Sequence, residues 1–113
     1  MEVPVSVVSG VPMLKVCGDI DHLTAPGVEK AAKESIGPDG LRLLLDLGNC
    51  NYIDRGGLSV LLSTLRRVKG RGWLGVVAPN PNILRLFEIV GLSSDPDFRI
   101  FASFGEATVG LGI

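Results

Sequence analysis

The sequence predicts an α/β domain in which an N-terminal β-hairpin is followed by alternating strands and helices around a mixed, mostly parallel sheet, with residues 1–113 forming a single domain. Three observations carry this expectation. Two β-branched runs, Val3–Val8 and Val11–Val16, flank the turn pair Ser9-Gly10. Two other apolar runs, Leu41–Leu47 and Trp73–Ala78, do not alternate with polar residues, as suits strands covered on both faces. Between those two, Leu58, Leu61, Leu62, Leu65 and Val68 recur at helical spacing. Strands separated by single helices pair in parallel through right-handed crossovers.

Each element has its own local signals. Pro4 and Pro12 lack the amide hydrogen that a central strand donates, so at least one hairpin strand is expected to lie or begin at a sheet edge. Thr24 is placed to cap a first helix that opens at Ala25-Pro26, carries Val28, Ala31, Ala32 and Ile36, and stops at Gly37-Pro38-Asp39-Gly40. After the Leu41–Leu47 strand comes the polar loop Gly48–Asn51, and Asp54 caps the leucine-striped helix. Arg66, Arg67 and Lys69 complement the dipole at that helix's C-terminus before Gly70 ends it. Asn80-Pro81 opens a third helix with Leu84, Phe87 and Val90 inward, and Gly91 closes it. Phe98–Phe101 is a last strand, and Ser103 with Glu106 forms a capping box for a final, glycine-weakened helix.

Composition narrows the function. The chain is 46% apolar and 20% charged with a formal net charge of −1, which gives no electrostatic footprint for nucleic acid or acidic lipid surfaces. No apolar run approaches the length of a membrane span, and MEVPVSVVSG lacks a basic leader region, so a soluble, untargeted, cytoplasmic domain without membrane insertion is expected. Cys17 and Cys50 belong to no CxxC pair and read as buried, reduced structural thiols.

Candidate chemistry is sparse. Gly70–Gly75 spells GxGxxG with Asp95 further on, but the stretch leaves a helix and enters a strand, the reverse of a dinucleotide fingerprint, so no cofactor is expected. Cys17, Asp19, Asp21, His22 and Cys50 have poor spacing for a metal or a thiol nucleophile, so no metal and no catalytic residue is assigned. The informative segment is Asp54-Arg55-Gly56-Gly57. Capping accounts for Asp54, and tight turning or close approach accounts for the glycines. Arg55 opposes the macrodipole by about 0.3–1 kcal/mol and makes most sense directed outward to solvent or an acidic partner.

Three blocks in order resemble the bacterial anti-sigma factor antagonists, built on the STAS domain. Gly18-Asp19-Ile20-Asp21 with Thr24-Ala25 is similar to the family's G-x-[LI]-D-x-x-[TS]-A segment. Leu43–Leu47 with Tyr52-Ile53-Asp54 and Gly57-Leu58 resembles its apolar strand and switch loop. Pro81 and Ile83–Leu92 resemble the helix ending R-[LV]-[FL]-x-x-x-G-L. The resemblance implies a non-enzymatic regulator of transcription that binds a serine-kinase-type anti-sigma factor and frees a sigma factor. The implied contact face is the Asp19–Thr24 loop with the start of the second helix: Asp21, His22, Thr24, Asp54, Arg55, Gly56, Gly57 and Ser59. In the family a serine or threonine directly after the switch-loop aspartate is phosphorylated. Arg55 and then Gly56 stand there instead, which implies that this switch is missing, with Ser59 and Ser63 the nearest other hydroxyls. The alternatives are a STAS subunit of a transport or stress-signalling complex and, from another class, a small phosphoacceptor or small-molecule enzyme using Asp54 or Asp21, which requires an acid pair with a nearby lysine; Lys15 and Lys69 are the lysines near these motifs.

Overall fold

A computed structural model describes residues 3–36 and 41–111. The elements are β1 (Val5–Val8), β2 (Val11–Cys17), α1 (Ala25–Ser35), β3 (Arg42–Asn49), α2 (Arg55–Val68), β4 (Trp73–Val77), α3 (Pro81–Ile89), a 3-10 turn (Leu92–Ser94), β5 (Phe98–Phe101) and α4 (Phe104–Gly110). The expected alternation is present. The predicted helix stop at Gly37–Gly40 lies outside the described residues, and α1 itself runs out at Ser35.

The five strands lie in chain order, β1-β2-β3-β4-β5, with only β1 and β2 antiparallel. Ser9 and Gly10 both have positive φ, 52° and 81°, the backbone a two-residue hairpin turn demands. Val8 pairs with Val11 and Val7 with Pro12, so Pro12 occupies a non-hydrogen-bonded pair where its missing N–H is not needed by β1. β1 is the sheet edge, and it begins at Val5, because Pro4 keeps only a carbonyl bond to the Lys15 amide.

Because every parallel connection steps in the same direction with the same hand, α1, α2 and α3 fall on one face of the sheet. That face holds the main core: Leu14 and Val16 of β2, Leu43, Leu45 and Leu47 of β3, and Leu74 and Val76 of β4 meet Val28, Leu61, Leu65 and Phe87 from the helices. Among the described residues the opposite face is covered by α4 alone, whose Ala107 packs in a smaller cluster with Val11, Met13, Leu44, Trp73 and Val77. Ser103 caps α4 as expected, accepting from Glu106 N, while Glu106 reaches back to the Ala102 amide, one residue beyond a standard capping box.

Three expectations about packing are corrected. Cys17 is exposed, since alternation along β2 carries it with Lys15 onto the sheet face that α1–α3 leave uncovered; only Cys50 is buried. In α3 the inward face is Ile83 and Phe87, and Val90 stands exposed beyond the last turn. In α2, Leu58 and Leu62 are half-buried, whereas Gly57, Val60 and Thr64 are buried, because the helix packs against α1 as well as the sheet.

Candidate functional site

The loops after β2, β3 and β4 emerge at the same end of the sheet, as parallel strands require. The first two are joined directly. Ile20 and Ile53 form an isolated parallel bridge, with Ile20 N donating to Tyr52 O at 3.0 Å and Asp54 N donating to Ile20 O at 3.0 Å. Gly57 makes this approach possible: a Cβ there would lie 2.8 Å from Ile20 Cγ2 and closer still to the Ile20 carbonyl. The glycine expected to allow close approach therefore serves a contact within the chain.

Asp54 uses both carboxylate oxygens. Oδ1 accepts from Gly57 N at 2.9 Å and caps α2; Oδ2 accepts from His22 N at 3.1 Å, with His22 Nδ1 at 3.7 Å. The Gly57 amide, aided by those of His22 and Gly56, holds this carboxyl below the usual aspartate range. Asp21 is likewise lowered, first by the Thr24 amide and then by that of Leu23. Both groups are ionised acceptors near neutrality rather than proton donors, so neither is poised as a general acid.

Thr24 does not cap α1 through its side chain, contrary to expectation. Its hydroxyl faces back into the loop, donating to Asp19 O at 2.7 Å and accepting from Asp21 N at 2.9 Å. The αR backbone at Thr24 turns the hydroxyl away from the helix amides. Asn80 does cap α3, accepting from Ile83 N at 2.8 Å, and its Nδ2 also donates to Asn51 O at 3.2 Å. This tie between the second and third loops was not foreseen, as nothing local in the sequence encodes it.

The structure thus brings Asp21, His22, Thr24, Asp54, Gly56 and Gly57 into one cluster. Arg55, the first residue of α2, points away from it: the residue is exposed and makes no ion pair among the described residues. Ser59 is exposed, but its hydroxyl donates to Arg55 O at 2.9 Å. The α2 start forms a ridge between two grooves. One, of about 400 Å³, runs toward α1 past His22, Glu29, Gly56 and Ser59. The other, of about 460 Å³, runs toward α3 past Tyr52, Arg55, Leu58 and Leu86. Tyr52 and Leu23 expose large apolar surfaces here, and sequence reasoning passed over both; an aromatic in an otherwise polar loop was the available signal for Tyr52.

The other candidate groups lie apart. Burial pushes the Cys50 thiol up, the reverse of nucleophile activation. Among the described residues no three His, Cys, Asp or Glu side chains gather as metal ligands. Lys69 pairs with Asp95 at 2.7 Å at the far end of the sheet, and Lys15 sits in register with Asp46, so neither lysine joins Asp21 and Asp54. Among the described residues no helix is long and apolar enough to cross a membrane.

Residues 2–107 match the STAS domain family. The chain is 30% identical over 103 residues to the anti-sigma-F factor antagonist RsfB of Mycobacterium tuberculosis, covering 91% of this chain and 83% of that protein. It is 35% identical over 79 residues to the anti-sigma-B factor antagonist of Listeria monocytogenes, covering 69% of each. Among solved structures, an anti-sigma factor antagonist from Mycobacterium paratuberculosis superposes with a TM-score of 0.82 at 26% identity, over 97% of this chain and 92% of that one.

Proposed function

The chain belongs to the STAS domain family, and from that premise we propose that it is an anti-sigma factor antagonist: it binds a serine-kinase-type anti-sigma factor in the cytoplasm and frees a sigma factor for transcription. The contact face is the Asp19–Thr24 loop together with the Asp54–Ser59 start of α2. Asp21 and Asp54 fix the shape of this face, and Arg55 offers a guanidinium fork to a partner carboxylate.

The observation that carries this reading is the position of Arg55. It is the exposed first residue of a helix whose aspartate cap has both oxygens engaged, and among the described residues Arg55 makes no ion pair. A phosphate added here would meet the positive end of the helix dipole; an arginine supplies the opposite charge and no hydroxyl. The chain therefore acts as an antagonist that kinase activity does not switch off at this position.

The test mixes the purified chain with a kinase-type anti-sigma factor bound to its sigma factor, in Mg-ATP. Wild type releases sigma and takes up no phosphate, whereas Arg55→Ser releases sigma and is then phosphorylated and displaced. Absence of binding overturns the antagonist reading. Stoichiometric phosphate on wild-type Ser59 or Ser63 that abolishes binding overturns the unswitched one.

A further inference from the structure

At the opposite end of the sheet, where the parallel strands begin, the chain gathers arginines that the partner face does not use. Arg42 opens β3, Arg71 stands in the turn between α2 and β4, and Arg99 lies in β5. Arg42, Arg71 and Trp73 line one cavity of about 350 Å³, together with Gly10, Pro12 and Leu41. The Arg99 guanidinium sits 4.5 Å from the centre of the Trp73 ring, fixing the indole by a cation–π contact. Among the described residues no acidic side chain lines this cavity. Among the described residues, Asp95 holds Lys69 at 2.7 Å and Asp97 accepts from the Gly70 amide at 3.2 Å.

Arg42 and Arg71 both border this partly enclosed space; Arg71 Nη2 also donates to the Arg67 carbonyl at 3.4 Å, which uses one of the several N–H donors of its guanidinium. In a chain of net charge −1 this local excess of cations is not a consequence of overall composition. Arginine forks match the oxygens of phosphate in pairs, and they hold such groups better than a point charge does. We propose that this cavity is a binding site for a phosphoryl dianion, presented as free phosphate or as the phosphate of a small metabolite, with Arg42 and Arg71 as its two clamps and Trp73 as its floor. Arg99 is a positioning residue that holds the indole. The site is separated from the α2 face by the length of the strands, so occupancy and partner binding are compatible.

The chain has a single tryptophan and it lines this cavity, so its emission responds to occupancy there. Titration of the full chain with inorganic phosphate at constant ionic strength gives a saturable change in Trp73 emission, together with amide shifts at Arg42, Arg71 and Gly72; sodium chloride gives neither. Arg42→Gln and Arg71→Gln each weaken the apparent affinity by about tenfold, and Arg→Lys at either position weakens it less, because charge is kept and the fork is lost. Unchanged thermal unfolding of the variants separates lost binding from lost folding. A sugar phosphate that binds more tightly than inorganic phosphate identifies an ester ligand, and equal or weaker binding identifies the free ion; both support the site. No saturable response to either compound, an equal response to chloride, or full phosphate affinity in the folded Arg42→Gln/Arg71→Gln double variant overturns it.

Discussion

The starts of α1 and α2 are built from similar residues and do different work. At α1, Thr24 and Asp21 satisfy each other and their own loop, within residues 19–25. At α2, Asp54 caps its helix with one oxygen and takes the His22 amide of the preceding loop with the other. Asn80 at α3 repeats the second arrangement, capping with its oxygen and donating to Asn51 with its nitrogen. A cap with a spare polar atom becomes a tie between neighbouring loops, so the rigidity of this loop cluster rests on the starts of α2 and α3 rather than on that of α1.

The strongest way to break this contrast is to force the loops apart. Gly57→Ala places a methyl group against Ile20 and lowers stability by about 3 kcal/mol, measured by urea unfolding. Gly56→Ala is milder, since its Cβ would meet His22 Cα at 3.1 Å, and it serves as the control. Asp54→Ala removes the α2 cap and the tie to His22 together; partner affinity falls more than stability does, and calorimetric binding beside urea unfolding separates the two. Asn80→Ala loses a cap and a tie and destabilises by about 2 kcal/mol, whereas Thr24→Ala, with purely local bonds, destabilises by about 1 kcal/mol. Equal effects at positions 80 and 24 would remove the distinction between tie and local turn.

A titration gives the smallest and most specific effect. Asp21 and Asp54 have folded-state pKa values below the ordinary aspartate value of 3.8, so the stability they contribute is fully present above that value and is lost as pH falls through their folded values. Unfolding measured between neutrality and pH 3 therefore steepens at the acid end. Asp54→Asn and Asp21→Asn each flatten that limb while leaving the shape of the neutral region unchanged.

Much of the fold is legible in the sequence because its signals are local or periodic. The Leu41–Leu47 run is a central strand, Ser9-Gly10 is the hairpin turn, and Asp54, Asn80 and Ser103 are caps. Where a second surface competes, the periodic signal fails. Thr64 is buried on α2 because α1 covers that flank and its hydroxyl bonds back to Val60 O at 2.8 Å, leaving its methyl group to pack. The site was half legible. Residue types placed Asp54, Gly56 and Gly57 correctly at the helix start, but the Ile20–Ile53 bridge and the Asn80–Asn51 bond join segments far apart in sequence and carry no periodic trace. Thr24 was misread because serine and threonine stabilise loops and helix ends with the same atom, and only the backbone angle decides between them.

The order of the strands also bears on how the chain is made. Each strand lies beside the one before it, so no later strand must be inserted between two that are already paired. As the chain leaves the ribosome, the sheet grows at a single moving edge, and each emerging helix covers the strands just laid down. Contacts stay short in sequence for a parallel sheet, the circumstance that favours fast folding and limits the lifetime of exposed edges. The Ile20–Ile53 bridge fits this sequence of events: it forms once β3 and the loop beyond it have emerged, so the first two loops can be joined before β4 and β5 exist, and the Asn80–Asn51 tie follows with α3.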